Sequence, residues 1–171
     1  MANQDIKNLR VADLHLWSEN PRDPLDSKSS DFDIIKQAID ENPEVWNLDR
    51  LIKEMGTYYD FSEIPTVVFL NSSPVVFDGN RRVAVLKYLQ NKELYSLLTG
   101  KLFLGDGPKE LRELFEIPCN ICDRETALTN IERKHVNSGS WGALQREYFL
   151  HQHRGQRKSL FLILEELLQK D

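Results

Sequence analysis

A chain of 171 residues, 40% hydrophobic and 29% charged, has the length and composition of one soluble domain with a proper core; a domain of that size buries roughly 70% of the surface its unfolded chain exposes. A formal charge of −5 argues against a surface that is basic all over, on which non-specific nucleic-acid binding depends. No apolar run approaches the roughly 20 residues needed to cross a bilayer, and the opening Met1-Ala2-Asn3-Gln4-Asp5-Ile6 does not read as a signal peptide. A cytoplasmic protein without a membrane partner is the expectation.

From Lys7 to Leu16 apolar and polar residues alternate, with Val11, Leu14 and Leu16 apolar, as in a strand or strand-and-turn entering a sheet. Pro21 and Pro24 then impose a loop. Ser29, Ser30 and Asp31 supply N-cap candidates for a helix with Phe32, Ile35 and Ile39 on one face, ending near Asn42-Pro43. Helical spacing of Leu48, Leu51, Ile52 and Met55, stopped by Gly56, predicts a second helix.

Next come two β-branched runs, Thr66-Val67-Val68-Phe69-Leu70 and Val75-Val76-Phe77, separated by Asn71-Ser72-Ser73-Pro74. They read as a hairpin. Asp78-Gly79-Asn80-Arg81-Arg82 follows, and a helical pattern through Val83, Leu86 and Leu89 runs on to Asn91. A glycine at such a strand-to-helix joint lets backbone approach a ligand closely, and the free N–H groups of the first helical turn favour an anion. Arg81 and Arg82 add forked, permanently charged donors suited to phosphate. Set against this is an ordinary turn with arginines on a solvated face; their place at the joint favours the anion site.

A short helix over Lys92–Leu98 is expected, then a glycine-bearing loop from Gly100 to Gly107 and a helix started by Pro108, with Leu111, Leu114 and Phe115 inward. Ile117–Ile121 reads as a strand. Cys119 and Cys122 have the spacing of a redox or zinc motif, but no second cysteine pair completes a zinc site, and residues three apart on a strand face opposite sides. Buried or half-buried free thiols are expected. Ser140 is the expected cap of a helix carrying Trp141, Leu144, Tyr148 and His151, and the last helix, about Ser159 to Lys170, has a broad apolar face. His151 and His153, two apart, do not share a helix face and are assigned no site.

The joint resembles the phosphate-gripping segment of the ParB N-terminal domain family, whose fold is shared with sulfiredoxin. There a Gly-Glu-Arg-Arg type motif, or Asp-Gly-His-His-Arg in a related branch, follows a strand; here Gly79, Asn80, Arg81 and Arg82 take the matching places. The family's upstream Asn-Pro-x-x-Pro-Arg type segment is similar to Glu19-Asn20-Pro21-Arg22-Asp23-Pro24, and its Glu-Asn-Leu-Gln-Arg segment to Thr129-Asn130-Ile131-Glu132-Arg133. Three segments in the right order carry the resemblance. It implies an α/β (α+β) fold of the ParB/sulfiredoxin kind, a small mixed sheet flanked by helices, with an extra C-terminal helix. Residues 1–154 would form the domain and residues 155–171 the added helix, for packing or a dimer contact. Tyr95 to Phe115 would be an insertion relative to the family.

The resemblance also implies a ligand: a nucleoside triphosphate, CTP or ATP, with Mg2+. Gly79, Asn80, Arg81, Arg82, Arg22, Asn130 and Arg133 would bind it, with Asn130 on the metal side. Asn80 stands where the sulfiredoxin branch needs a thiol, and Thr129 stands where hydrolysing relatives carry an acid. Nucleotide binding therefore survives the comparison better than hydrolysis, for which Glu132 and His135 are the catalytic candidates and Glu125 a compensating acid. Arg133, Lys134, His135 and Trp141 bring cations, an imidazole and an aromatic ring into one stretch suited to phosphates and a base.

The leading expectation is a nucleotide-responsive switch in a DNA-associated process. Its alternatives are a metal-dependent nuclease, for which acidic groups beside the first two segments are few, and a non-catalytic DNA-binding or partition adaptor. DNA would meet the basic C-terminal quarter, where Arg133, Lys134, Arg146, Arg154, Arg157 and Lys158 concentrate charge. Partition proteins carry a helix-turn-helix domain after this one, and about one helix follows Arg154, so sequence-specific DNA binding by these 171 residues is not expected. A homodimer through the last helix competes with packing of that helix on its own domain.

Overall fold

In the computed structural model, which describes residues 3–100 and 107–169, the sheet is built from the hairpin outwards. Strands β3 (Thr66–Leu70) and β4 (Ser73–Asp78) pair antiparallel across Asn71 and Ser72, both at positive φ, as a two-residue hairpin turn requires. The strand thus begins at Ser73, inside the stretch expected to be turn. Strand β2 (His15–Leu16) lies parallel to β4, and β5 (Glu116–Cys122) parallel to β3; β1 (Gln4–Arg10) closes the other edge antiparallel to β5. The order β1-β5-β3-β4-β2 makes one mixed five-stranded sheet flanked by helices, an α+β fold.

Side-chain alternation along the strands divides the core in two. Val67, Val76, Ile117 and Cys119 face a larger cluster, packed against α1 (Asp31–Lys36), α3 (Leu48–Met55) and α4 (Asn80–Gln90). Val68, Phe77 and Cys122 face a smaller one, under α7 (Arg124–Ile131) and α8 (Ala143–Arg154), with Trp17 stacked on Phe77. Both cysteines are buried and free, on opposite faces, and burial pushes the Cys119 thiol up to about 12.

Ser30 caps α1 in a reciprocal capping box with Asp33, and a wide turn over Gln37–Glu41 prolongs that helix to Asn42. The short α2 (Pro43–Trp46) is an element the pattern did not reveal; Asn47 in the left-handed region turns it into α3. Helix α4 is buried on most sides, and its Lys87 reaches Asp31 at 3.0 Å, the same carboxylate that accepts the Leu16 N–H at 2.7 Å. Helices α5 (Lys92–Tyr95) and α6 (Lys109–Arg112) match the expected positions, but Phe115 is 60% exposed, because it lies beyond α6 at the entry to the edge-proximal β5. Most of the expected Gly100–Gly107 loop lies outside the described residues.

One further correction falls in the last quarter. Ser140 does not cap α8, which starts from Gly142; the Ser140 hydroxyl is taken by His135. Helix α9 (Leu160–Leu168), capped by Ser159, buries only Leu162 of its apolar residues. No helix among the described residues is long and apolar enough to cross a membrane.

His153 of α8 lies against Trp17 and Phe149, with Arg124 Nη2 at 3.4 Å from Nδ1 and the Glu19 carbonyl 3.4 Å from Nε2. Arginine only donates, so Nδ1 accepts and Nε2–H donates, which is the neutral ring. Burial brings its pKa down from 6.5 to about 4. An unfolded chain therefore takes up a proton here, between those two values, that the native chain does not. Stability falls as pH falls through that window. Urea titrations at pH 7 and pH 5 will show this loss, and His153→Gln will reduce the difference between the two.

Candidate functional site

The joint between β4 and α4 is set by a one-residue bulge. Thr66 pairs with Asp78 but Val67 pairs with Val76, so Phe77 is the extra residue. Phe77 turns into the smaller core while Asp78 is delivered to the end of the strand beside Gly79. Gly79 has φ +91°, and a Cβ there would lie 3.1 Å from Pro65 Cα and Cβ, so a side chain would be strained by its backbone conformation and tight against Pro65. The first intrahelical bond of α4 runs from the Val83 N–H to Gly79 O at 3.1 Å. The N–H groups of Asn80, Arg81 and Arg82 are thereby left outside the helix's own ladder, at its positive end.

A cleft of about 140 Å³ opens on this helix end, with Arg22, Arg81, Arg82 and Lys134 on its walls against two carboxylates, Asp78 and Glu63. Four cations less two anions leave a lining excess of two positive charges. Asp78, with a side chain 19% exposed, meets His135 Nε2 at 2.9 Å through one oxygen and Lys134 Nζ at 3.0 Å through the other. Burial acts to raise its pKa, but the hydrogen bond and charge of His135 and the Lys134 ammonium outweigh burial and hold the carboxyl well below the usual range. Glu63 Oε2 lies 3.5 Å from Arg82 Nη1 and 3.4 Å from Lys134 Nζ, so it bridges two of the cations an anion would need.

Arg81 and Arg22 are committed differently. Arg81 donates to the carbonyls of Trp46 at 2.6 Å and Asn47 at 2.8 Å, and Arg22 to that of Val45 at 3.2 Å. These are the last carbonyls of α2 and its turn, natural partners for a cation. Burial, with Arg22 and Arg82 nearby, brings the Arg81 pKa down to about 10, and burial likewise lowers that of Arg22. Two half-buried guanidiniums held next to a third are electrostatically short of an anion. Arg22 itself is aimed by Asn20, whose side-chain oxygen accepts the Arg22 N–H at 3.2 Å in a run of tight turns.

Of the residues expected at the site, the structure brings together Gly79, Asn80, Arg81, Arg82, Arg22 and His135, with Lys134 and Trp141. Asn80 contributes backbone rather than side chain: it is 4% exposed, and its Oδ1 accepts the Trp17 N–H at 2.9 Å. Asn130 lies outside the cleft lining, its amide donating to Gln4 Oε1 on β1 at 2.9 Å. Glu132 also lies outside it, bound at 2.7 Å by Arg154, which reaches Glu125 as well and so ties α8 to α7. Arg133 is exposed and lines no part of the cleft. The third family-like segment spans the end of α7 and the first two residues of the wide turn Glu132–Asn137, and the cleft is reached only by the next two residues of that turn, Lys134 and His135.

Glu63 had no local signal, since it sits on an isolated turn, Phe61–Glu63, that meets the arginine only in three dimensions. The basic C-terminal quarter is partly neutralised: Arg154 is paired as above and Lys158 holds Glu166 at 2.7 Å. Among the described residues no three His, Cys, Asp or Glu side chains gather as a metal-binding group. The cleft carboxylates are committed to cations and Asn130 to Gln4, so the residues present do not fit a magnesium ion held by the protein alone. Comparison of the chain with protein-family models, curated proteins and solved structures finds no match.

Asn80 is a test of this geometry. Removing its amide leaves the buried Trp17 N–H without a partner, so Asn80→Ala is expected to cost about 1–3 kcal/mol of stability, read from denaturant midpoints at unchanged m-value. An unchanged midpoint would show that the amide does not tie β2 to α4.

Proposed function

We propose that the domain binds a nucleoside triphosphate by its phosphates in the β4–α4 cleft, as a ParB-like nucleotide-responsive module in a DNA-associated process. The carrying observation is the convergence of Arg22, Arg81, Arg82 and Lys134 on the uncapped start of α4 at a joint whose positive φ favours glycine. Phosphate oxygens would take the Asn80–Arg82 N–H groups together with Arg82 and Lys134, displacing Glu63 from both cations. Arg81 and Arg22, engaged with carbonyls, act mainly by charge. The ring of Trp141, stacked on His135 at 4.8 Å, forms part of the cleft wall and holds that imidazole in place.

Both cleft carboxylates are held by cations, which favours a binding role over a nuclease that would need them for metal. A divalent ion would arrive with the nucleotide as its counter-ion. A switch follows if displaced Glu63 moves its turn: the Glu63 carbonyl accepts the Tyr59 hydroxyl at 3.0 Å, linking the cleft to the end of α3.

Calorimetric titration with CTP, ATP, GTP and UTP in magnesium tests the reading. At least one nucleotide is expected to bind. Arg82→Ala with Lys134→Ala should weaken it at least about tenfold per charge-assisted bond lost. Binding of none of the four by the wild-type chain overturns the proposal, and equal binding by the double variant overturns the site. Glu63→Gln is expected to tighten binding several-fold, because it removes the internal competitor for Arg82 and Lys134; calorimetry on that variant alone decides the point.

A further inference from the structure

Beside the cleft a serine, a histidine and an aspartate form a continuous hydrogen-bonded chain. Ser140 Oγ lies 2.9 Å from His135 Nδ1, and His135 Nε2 lies 2.9 Å from Asp78 Oδ1. Asp78 accepts the proton carried on Nε2, so in the neutral ring it is the Nδ1 lone pair that faces the serine hydroxyl. Two backbone carbonyls compete for that hydroxyl, Lys134 O at 3.2 Å and His135 O at 3.4 Å, but both are longer, and Lys134 O already accepts from Ser138. The imidazole is 14% exposed and held by Trp141 stacked on its face, whereas Ser140 is exposed. A hydroxyl open to solvent, backed by an oriented base and a buried carboxylate, is the arrangement that activates an oxygen nucleophile.

Ser140 immediately precedes Trp141, a cleft residue, and its base His135 is another. We propose that Ser140 is a nucleophile activated by His135 and Asp78, and that it accepts a phosphoryl group from the nucleoside triphosphate held in the adjacent cleft. The inference rests on the nucleotide reading for its donor. In the step, a bond forms between Ser140 Oγ and the terminal phosphorus while the bond from that phosphorus to the bridging oxygen breaks. That electron pair leaves with the nucleoside diphosphate. The hydroxyl proton passes to His135 Nδ1, and the resulting imidazolium, facing Asp78, gives a proton up to solvent afterwards.

The test incubates the full chain with magnesium and each of the four triphosphates and maps phosphorylated residues by mass spectrometry, with calorimetry on the same preparations. Wild-type chain is expected to gain one phosphoryl group on Ser140; Ser140→Ala, a change confined to an exposed hydroxyl, gains none while binding nucleotide as before. His135→Gln, checked for folding by its thermal transition, should modify Ser140 at least about a hundredfold more slowly, the usual scale for loss of a general base. A fluorophosphonate, which needs no nucleotide site, should label wild type and not Ser140→Ala. Nucleotide binding without phosphoserine at position 140 overturns this inference and leaves the nucleotide reading standing. Absence of nucleotide binding removes the donor and overturns both, and fluorophosphonate labelling no faster than in Ser140→Ala overturns the activation of the serine.

Discussion

The Asp78 carboxylate holds three parts of the molecule in register. It terminates β4, precedes the glycine from which α4 departs, and draws Lys134 and His135 of the turn after α7 onto its two oxygens. Without that anion His135 would lose its carboxylate partner and Lys134 would keep only the longer bond to Glu63, at 3.4 Å, to hold the wide turn against the cleft. The bulge at Phe77 serves the same end, since it sends an aromatic ring into the smaller core and leaves the next residue, Asp78, at the mouth of the cleft. The native pKa is depressed, so the stabilising contribution of this anchor is full above the unfolded carboxyl's ordinary range and is lost progressively as pH falls from that range towards the native value.

Around the anchor, charge is arranged in two tiers. Arg81 and Arg22 are half-buried and spend their donors on the carbonyls that end α2, so they fix the loop carrying Trp46 against α4 and supply a positive field more than contacts. Arg82 and Lys134 have looser bonds, at 3.5 and 3.4 Å to Glu63, and are the cations free to exchange an internal carboxylate for an external anion. An arginine on the open surface would not substitute for either tier, because the field is strong only where burial lowers the local dielectric.

The hairpin, α3 and the glycine joint were legible because their signals are local: β-branched runs, a 3.6-residue spacing in Leu48–Met55, and a glycine before a helical pattern. The sheet order was not, since the parallel pairings of β2 with β4 and β3 with β5 depend on crossovers no short window contains. Arg81 and Arg82 could be assigned to the site because charge at a helix start has a direct physical reading, whereas Arg22 was assigned through the resemblance of Glu19–Pro24 to the family's upstream segment. Asn80 could not be separated into a structural side chain and a functional N–H, as that depends on Trp17, 63 residues earlier in the chain. Asn130, at the end of α7, is taken by Gln4, and Glu132, in the turn after it, by Arg154, contacts remote in sequence, so a segment match placed these two and Arg133 in the cleft and the packing does not.

The central claim is that phosphate meets the backbone at the start of α4. Amide chemical shifts of the 15N-labelled chain, followed as magnesium nucleotide is added, test it most directly. The largest changes are predicted at the N–H groups of Asn80, Arg81 and Arg82, with Glu63 shifting at the same ligand concentration. Saturable changes confined to the separate cavity lined by His15, Asp31, Lys87 and Phe115, with Asn80–Arg82 unmoved, would contradict it.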